Sequence, residues 1–145
     1  EYSDIYRVDI RSHPHLTMMR ERWYSDGDVQ YPDDLMLTPV AAKAWYCSDG
    51  GLSWSDDTHA FAAFGTHNES HRPEYLCDLF QEHGFPPNWS EPLLRFSLAG
   101  TAAILDWMGD APAGFEYKWA YEDRDRYERL KKEAEQKHMT QAHTE

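Results

Sequence analysis

Seven aspartates between residues 25 and 57 (Asp26, Asp28, Asp33, Asp34, Asp49, Asp56 and Asp57) face one base, Lys43. An aspartate side chain is short, so its carboxylate stays close to the backbone and holds a fairly fixed position. A folded surface of this kind imitates a phosphate track or complements a basic groove, and long-range attraction speeds its encounter with a cationic partner. The imbalance extends along the chain. Residues 25–121 hold 15 acids against four bases, Lys43, Arg72, Arg95 and Lys118, within an overall formal charge of −12. Such a charge argues against direct nucleic-acid binding, which requires phosphates to be neutralised. The locally arginine-rich run is Arg7, Arg11, Arg20 and Arg22, offset by Asp4, Asp9 and Glu21.

Histidines form the second chemical theme. His13 and His15 flank Pro14, while His67 and His71 stand four residues apart, one helical turn if that stretch is helical. With Glu69 or His59 nearby they have the donor types of a zinc site, although Pro73 and the Thr66-His67-Asn68 start favour a loop, and the expectation is that no metal is bound. Cys47 and Cys77 fit no paired metal or redox spacing, and neither has an assignable histidine partner for nucleophilic work.

The segment Tyr6-Arg7-Val8-Asp9-Ile10-Arg11-Ser12 resembles the first-strand motif of the cholera- and pertussis-type ADP-ribosyltransferases, and Ser53-Trp54-Ser55 stands where that family has a serine-threonine-serine strand. The resemblance implies NAD as cofactor, Arg7 holding it, and Ser53 and Ser55 supporting the nicotinamide pocket. It also implies Glu116, or Glu122, as the carboxylate that stabilises an oxocarbenium-like ribose. Trp54 replaces the family's threonine, and no Glu-x-Glu or Gln-x-Glu pair follows.

The elements that must position these residues are short and closely punctuated. Ile5–Ile10 alternates as a strand with one wet face. Pro14 opens a helix to about Trp23, and Thr38-Pro39 opens another to Cys47. Asp49-Gly50-Gly51 reads as a turn. Ser55-Asp56-Asp57 reads as the acidic start of a short apolar helix ending at Gly65. Pro73–His83 reads as a helix stopped by Gly84, Leu93–Leu98 as a buried strand, and Thr101 as the cap of a helix to Gly109. Phe115–Tyr121 alternates as a third strand, and from Glu122 a charged helix follows on a stripe of Tyr127, Leu130 and Ala134.

Helices and strands without regular βαβ alternation predict an α+β fold, a small mixed sheet with several short helices packed on it and a charged C-terminal helix. Residues 1–121 form one acidic domain in this reading, and 122–145 an exposed helix or tail. The 21 aromatics exclude a disordered acidic chain. No apolar run spans a membrane and no signal-peptide pattern is present, so a cytoplasmic location is favoured. The expected function is a non-catalytic acidic protein that blocks a basic, nucleic-acid-binding protein surface, of inhibitor, immunity or DNA-mimic anti-CRISPR type. Its surface is the seven aspartates with Trp54, joined by exposed aromatics such as Trp45 or Trp89. No cofactor belongs to this reading, and the alternative is the NAD-dependent ADP-ribosyltransferase.

Overall fold

Proline at the first helical position starts three helices, α1 (Pro14–Trp23), α2 (Pro39–Asp49) and α3 (Pro73–Gln81). Its fixed φ suits that position, where its missing N–H is no loss. At α2 the Thr38 hydroxyl accepts from the Ala41 N–H at 3.2 Å. The computed structural model describes residue 11 and residues 13–25, 27–66 and 69–141, so the strand expected at Ile5–Ile10, with Arg7, lies outside the described residues, as do Asp26 and His67. Two further helices follow, α4 (Leu98–Met108) and α5 (Arg124–Gln141). Ser97, not Thr101, caps α4, accepting from the Gly100 N–H at 3.1 Å. Thr101 lies fully buried inside that helix, and its hydroxyl accepts from the Ala62 N–H at 2.8 Å.

The strands comprise a two-stranded hairpin, β1 (Tyr24–Ser25) with β2 (Asp28–Val29), and a four-stranded antiparallel sheet. The sheet contains β3 (Gly50–Trp54), β4 (Ala60–Gly65), β5 (Asn88–Ser90) and β6 (Leu93–Arg95) in the order β3-β4-β6-β5. The chain is therefore α+β, with helices packed on a small sheet.

Three expectations are corrected by this arrangement. The Ala60–Gly65 run is the strand β4, not a helix, because pairing with β3 on one edge and β6 on the other outweighs the helix preference of its three alanines. The acids before it cap a hairpin turn instead of a helix: the Asp56 carboxylate accepts from the N–H groups of Thr58 and His59, both at 2.8 Å. Asp49-Gly50-Gly51 is no turn, since α2 runs through Asp49 and β3 begins at Gly50. Phe115–Tyr121 forms a 3-10 turn (Glu116–Trp119) in place of a strand. Its middle residue, Lys118, is 7% exposed and points inward, which alternation does not allow.

One face of the sheet makes the core. Leu52, Ala62, Phe64, Leu94 and Trp89 share it by register, and α2, α3 and α4 pack there. Phe64 is the hub, with ring centroids 5.1 Å from Tyr46 of α2, 4.9 Å from Phe80 of α3 and 5.7 Å from Phe96. Each such ring contributes about 2–3 kcal/mol by leaving water.

Candidate functional site

The junction of α2 and β3 is built around an acid placed against local electrostatics. Asp49 is the last residue of α2, where the helix macrodipole disfavours negative charge. Two glycines make the placement possible. A Cβ at Gly50 would stand 2.5 Å from the Tyr46 ring and 2.9 Å from the Ala63 carbonyl, so only glycine lets the helix pass directly into the strand. A Cβ at Gly65 would stand 2.6 Å from Asp49 Oδ2. In the ladder Gly65 pairs with Leu93, and so its Cβ direction belongs to the sheet face opposite the core. The Asp49 carboxylate thus lies over the Gly65 corner of that open face.

Lys118 fixes the same junction. Its ammonium donates to three carbonyls, Tyr46 O at 3.1 Å, Cys47 O at 2.7 Å and Gly50 O at 2.7 Å. Tyr46 O also accepts the capping Gly50 N–H, Cys47 O is one of the carbonyls a helix C-terminus leaves without a backbone partner, Gly50 O opens β3, and a cation at that helix end is favoured. All three ammonium protons are engaged, so Lys118 is a positioning residue. Burial pulls its pKa down, and Cys47 and Asp49 oppose that shift. On the other side of Asp49, the Trp45 indole donates to Gly65 O at 2.8 Å and packs edge-on against Tyr31 at 5.5 Å. Burial, then the charges of Glu69 and Asp49, push the Tyr31 hydroxyl up to about 12. Glu69, 1% exposed, accepts from the Tyr31 N–H at 2.6 Å and from Arg72 at 3.3 Å, which pins the 31–34 turn to the start of α3.

The strands of this face carry no acid of their own; Ala63 and Gly65 on it are buried, and Gly51, Ser53, Phe61 and Leu93 are half-buried. Gly51, Ala63, Arg95 and Asn88 align across the four strands, with Ser53 and Phe61 on one side of that row and Gly65, Leu93 and Ser90 on the other. Arg95, Asn88 and Ser90 are exposed, and Arg95 is the one charged side chain in the four strands.

The seven aspartates do not gather there. Asp28 is exposed on β2. Asp33 pairs with Arg72 at 2.5 Å, Asp34 with Arg22 at 2.7 Å, and Asp57 with Arg124 at 2.6 Å. Asp56 is held well below the usual carboxylate range by the Thr58 N–H, then by His59 and the Thr58 hydroxyl. Asp56 and Asp57 sit at the hairpin tip, one strand length (~16 Å) from Asp49. Trp54 is half-buried against Tyr127 of α5 at 5.7 Å, and its buried indole N–H has no hydrogen-bond partner among the described residues. Trp45 and Trp89 are likewise half-buried against the core.

Among the residues of the NAD reading, Ser53 lies on β3 and Ser55 donates its N–H to His59 O at 3.0 Å. Glu116 opens the 3-10 turn and accepts from the Gly114 N–H at 2.8 Å. Burial raises the thiol pKa of both Cys47 and Cys77, the reverse of activation. Among the described residues no group of three or more His, Cys, Asp or Glu side chains is arranged to hold a metal ion, and no helix is long and apolar enough to cross a membrane.

Sequence reasoning grouped Asp49 with the other acids and missed its link to Gly65 and Lys118. A usable signal was present in the Asp-Gly-Gly run at the end of a capped helix. No family model and no solved structure matches the chain. A stretch of 51 residues, 35% of the chain, is 33% identical to an uncharacterized protein of Methanocaldococcus jannaschii, of whose length the match covers 20%.

Proposed function

We propose that this chain binds a nucleic-acid duplex on the open face of its sheet and hydrolyses a phosphodiester bond at the Asp49 corner. The observation that supports it is the Asp49 carboxylate, held over the Gly65 end of a sheet face whose strands carry no acid and present Asn88, Ser90 and Arg95. Arginine, asparagine and serine are side chains that read base edges. Four strands span roughly 14 Å, on the scale of a major groove about 12 Å wide. The acid excess that argued against nucleic acid lies off these strands, in loops and helices, with Asp33, Asp34 and Asp57 each paired to an arginine.

Asp49 supplies the carboxylate that a hard divalent cation needs when phosphate oxygens and water complete its shell. A water would attack phosphorus and give up one proton to solvent, the bond from phosphorus to one sugar oxygen would break, and that oxygen would take a proton from solvent. A single carboxylate per chain fits a pair of chains acting together. The outer side of α2 carries the small exposed residues Val40, Ala41, Ala44 and Ser48, so two α2 helices can approach closely and set two Asp49 carboxylates side by side.

The test is digestion of a randomised duplex library in Mg²⁺ or Mn²⁺, with new ends read by sequencing. Wild type should bind and cut, and Asp49→Asn should retain binding while losing about 10²-fold or more in cleavage. No new ends with wild type, or equal cutting by Asp49→Asn, overturns the proposal. Absence of duplex binding would return weight to the acidic interaction surface, which rests on exposed carboxylates such as Asp28 and Asp33.

A further inference from the structure

The C-terminal end of α4, the 3-10 turn and the start of α5 enclose a cleft of about 460 Å³, within the roughly 300–1,000 Å³ of small-molecule sites. Three acids and one base line it, Asp106, Asp110 and Glu116 against Arg126, and its aromatic walls are Trp119 and Tyr121. All three carboxylates are exposed. None is ion-paired among the described residues, unlike Asp33, Asp34 and Asp57. Glu116 accepts from the Gly114 N–H through one oxygen.

The acids stand against local electrostatics. Asp106 is in the last turn of α4 and Asp110 lies two residues past its end, where the helix dipole disfavours negative charge, and that turn has no base of its own. Lys43 reaches this end from α2, but its ammonium donates to the Asp110 carbonyl at 2.9 Å. Even with Lys43 counted the cleft keeps a net negative charge, and Glu122, which accepts from the Tyr121 hydroxyl at 3.2 Å, adds to it. The rings are fixed in place. Trp119 donates its indole N–H to Gly109 O at 3.0 Å and packs edge-on against Tyr46 at 5.3 Å. Burial, then Glu122, then the charge of Asp106 raise the pKa of the Tyr121 hydroxyl, which sets the Asp106 carboxylate near that ring.

We infer that this cleft binds a small organic polycation of the polyamine class, its ammonium groups donating to the Asp106 and Asp110 carboxylates and its methylenes lying on Trp119 and Tyr121. Unpaired carboxylates at a helix C-terminus call for positive charge, and an ammonium meets them with charge-assisted hydrogen bonds. Aromatic rings attract ammonium groups and their adjoining methylenes but offer a metal no ligand atom, and among the described residues no three acids or histidines converge on one. Two carboxylates four residues apart suit two amines joined by a short chain. The cleft shares no residue with the Asp49 corner, so the inference does not rest on the proposed function.

The experiment titrates the diamine putrescine into isotope-labelled protein at fixed ionic strength, with N–H shifts followed by NMR and affinity measured by calorimetry. Saturable shifts should centre on Gly109, Ala111 and the Trp119 indole, and butylamine, with one charge, should bind about 10-fold more weakly. Asp106→Asn/Asp110→Asn should lose about 10-fold or more in affinity and Tyr121→Leu about 3-fold. The charge-matched control Asp28→Asn/Asp78→Asn, at exposed acids outside the cleft, should bind as wild type does. Unchanged thermal melting of the variants excludes a folding defect, and the shift map of wild type tests the site without any variant. Absence of saturation, or shifts spread over exposed acids such as Asp28 and Asp33, overturns the inference. Butylamine binding as tightly as the diamine, or Mg²⁺ producing the same shifts at the same concentration, overturns it as well. No arm reads cleavage, so failure of the proposed function leaves this result interpretable.

Discussion

Replacing Gly65 by alanine tests the geometry on which the site depends. The new Cβ would stand 2.6 Å from Asp49 Oδ2, 2.7 Å from its Cγ and 2.7 Å from its carbonyl oxygen. Ordinary contact begins near 3.4 Å, so the end of α2 and the edge of β4 must separate by about 0.8 Å. Rotating the carboxylate away does not relieve the clash, because one of the three atoms is backbone. Overpacking of this kind costs about 1–3 kcal/mol, and alanine's smaller unfolded-state entropy offsets about 0.5–1 kcal/mol of that. The expected result is a net loss of about 1–2 kcal/mol in urea unfolding at unchanged m-value. A displacement approaching 1 Å at a reacting group also lowers cleavage by about 10²-fold. Gly51→Ala is the control. A Cβ there meets nothing within 4 Å, and the substitution should be neutral or stabilise by up to about 0.5 kcal/mol. If Gly65→Ala is as stable as Gly51→Ala, Asp49 does not pack over Gly65 and the assignment of the site collapses.

Lys118→Met removes three ammonium hydrogen bonds and takes the lysine donor from the Cys47 and Gly50 carbonyls, while Tyr46 O keeps the Gly50 N–H, so stability should fall by about 2–3 kcal/mol. A loss under about 1 kcal/mol in the same urea assay would show that the amine does not anchor the junction. Tyr31, with its hydroxyl pushed up to about 12, loses its proton in the unfolded chain before the folded one. Its contribution is complete below the ordinary value of 10.0 and disappears as pH rises towards about 12, a change of about 1 kcal/mol once solvent screening of this half-buried ring is allowed for. Tyr31→Phe should therefore flatten the alkaline part of the stability profile. Equal slopes for the two proteins above pH 10 would refute that burial of the hydroxyl.

Local chemistry was legible wherever a side chain acts on its own backbone. Pro14, Pro39 and Pro73 marked the starts of α1, α2 and α3, the Thr38 cap held, and Gly84 with φ of 81° followed α3 where the chain had to stop. The errors fall where a side chain or strand answers to something distant. Asp56 caps backbone N–H groups as its type suggested, yet the same hydrogen bonds close a hairpin as readily as a helix. Thr101 looked like a helix cap because a hydroxyl satisfies an N–H anywhere, and the N–H it satisfies belongs to β4, 39 residues away.

The amino-acid sequence by itself determined the acid excess, the helix starts, the α+β class and the presence of a carboxylate before two glycines, because composition and nearest-neighbour hydrogen bonding need no fold. Only the tertiary structure decided that Ala60–Gly65 is a central strand, that Lys118 turns inward, and that Asp33, Asp34 and Asp57 are paired with arginines. Those outcomes depend on partners distant in the chain. Asp49 belongs to the second group: one of seven aspartates in residues 25–57, it is distinguished by a sheet corner at Gly65 that leaves room for it and by a lysine 69 positions later that holds its helix end.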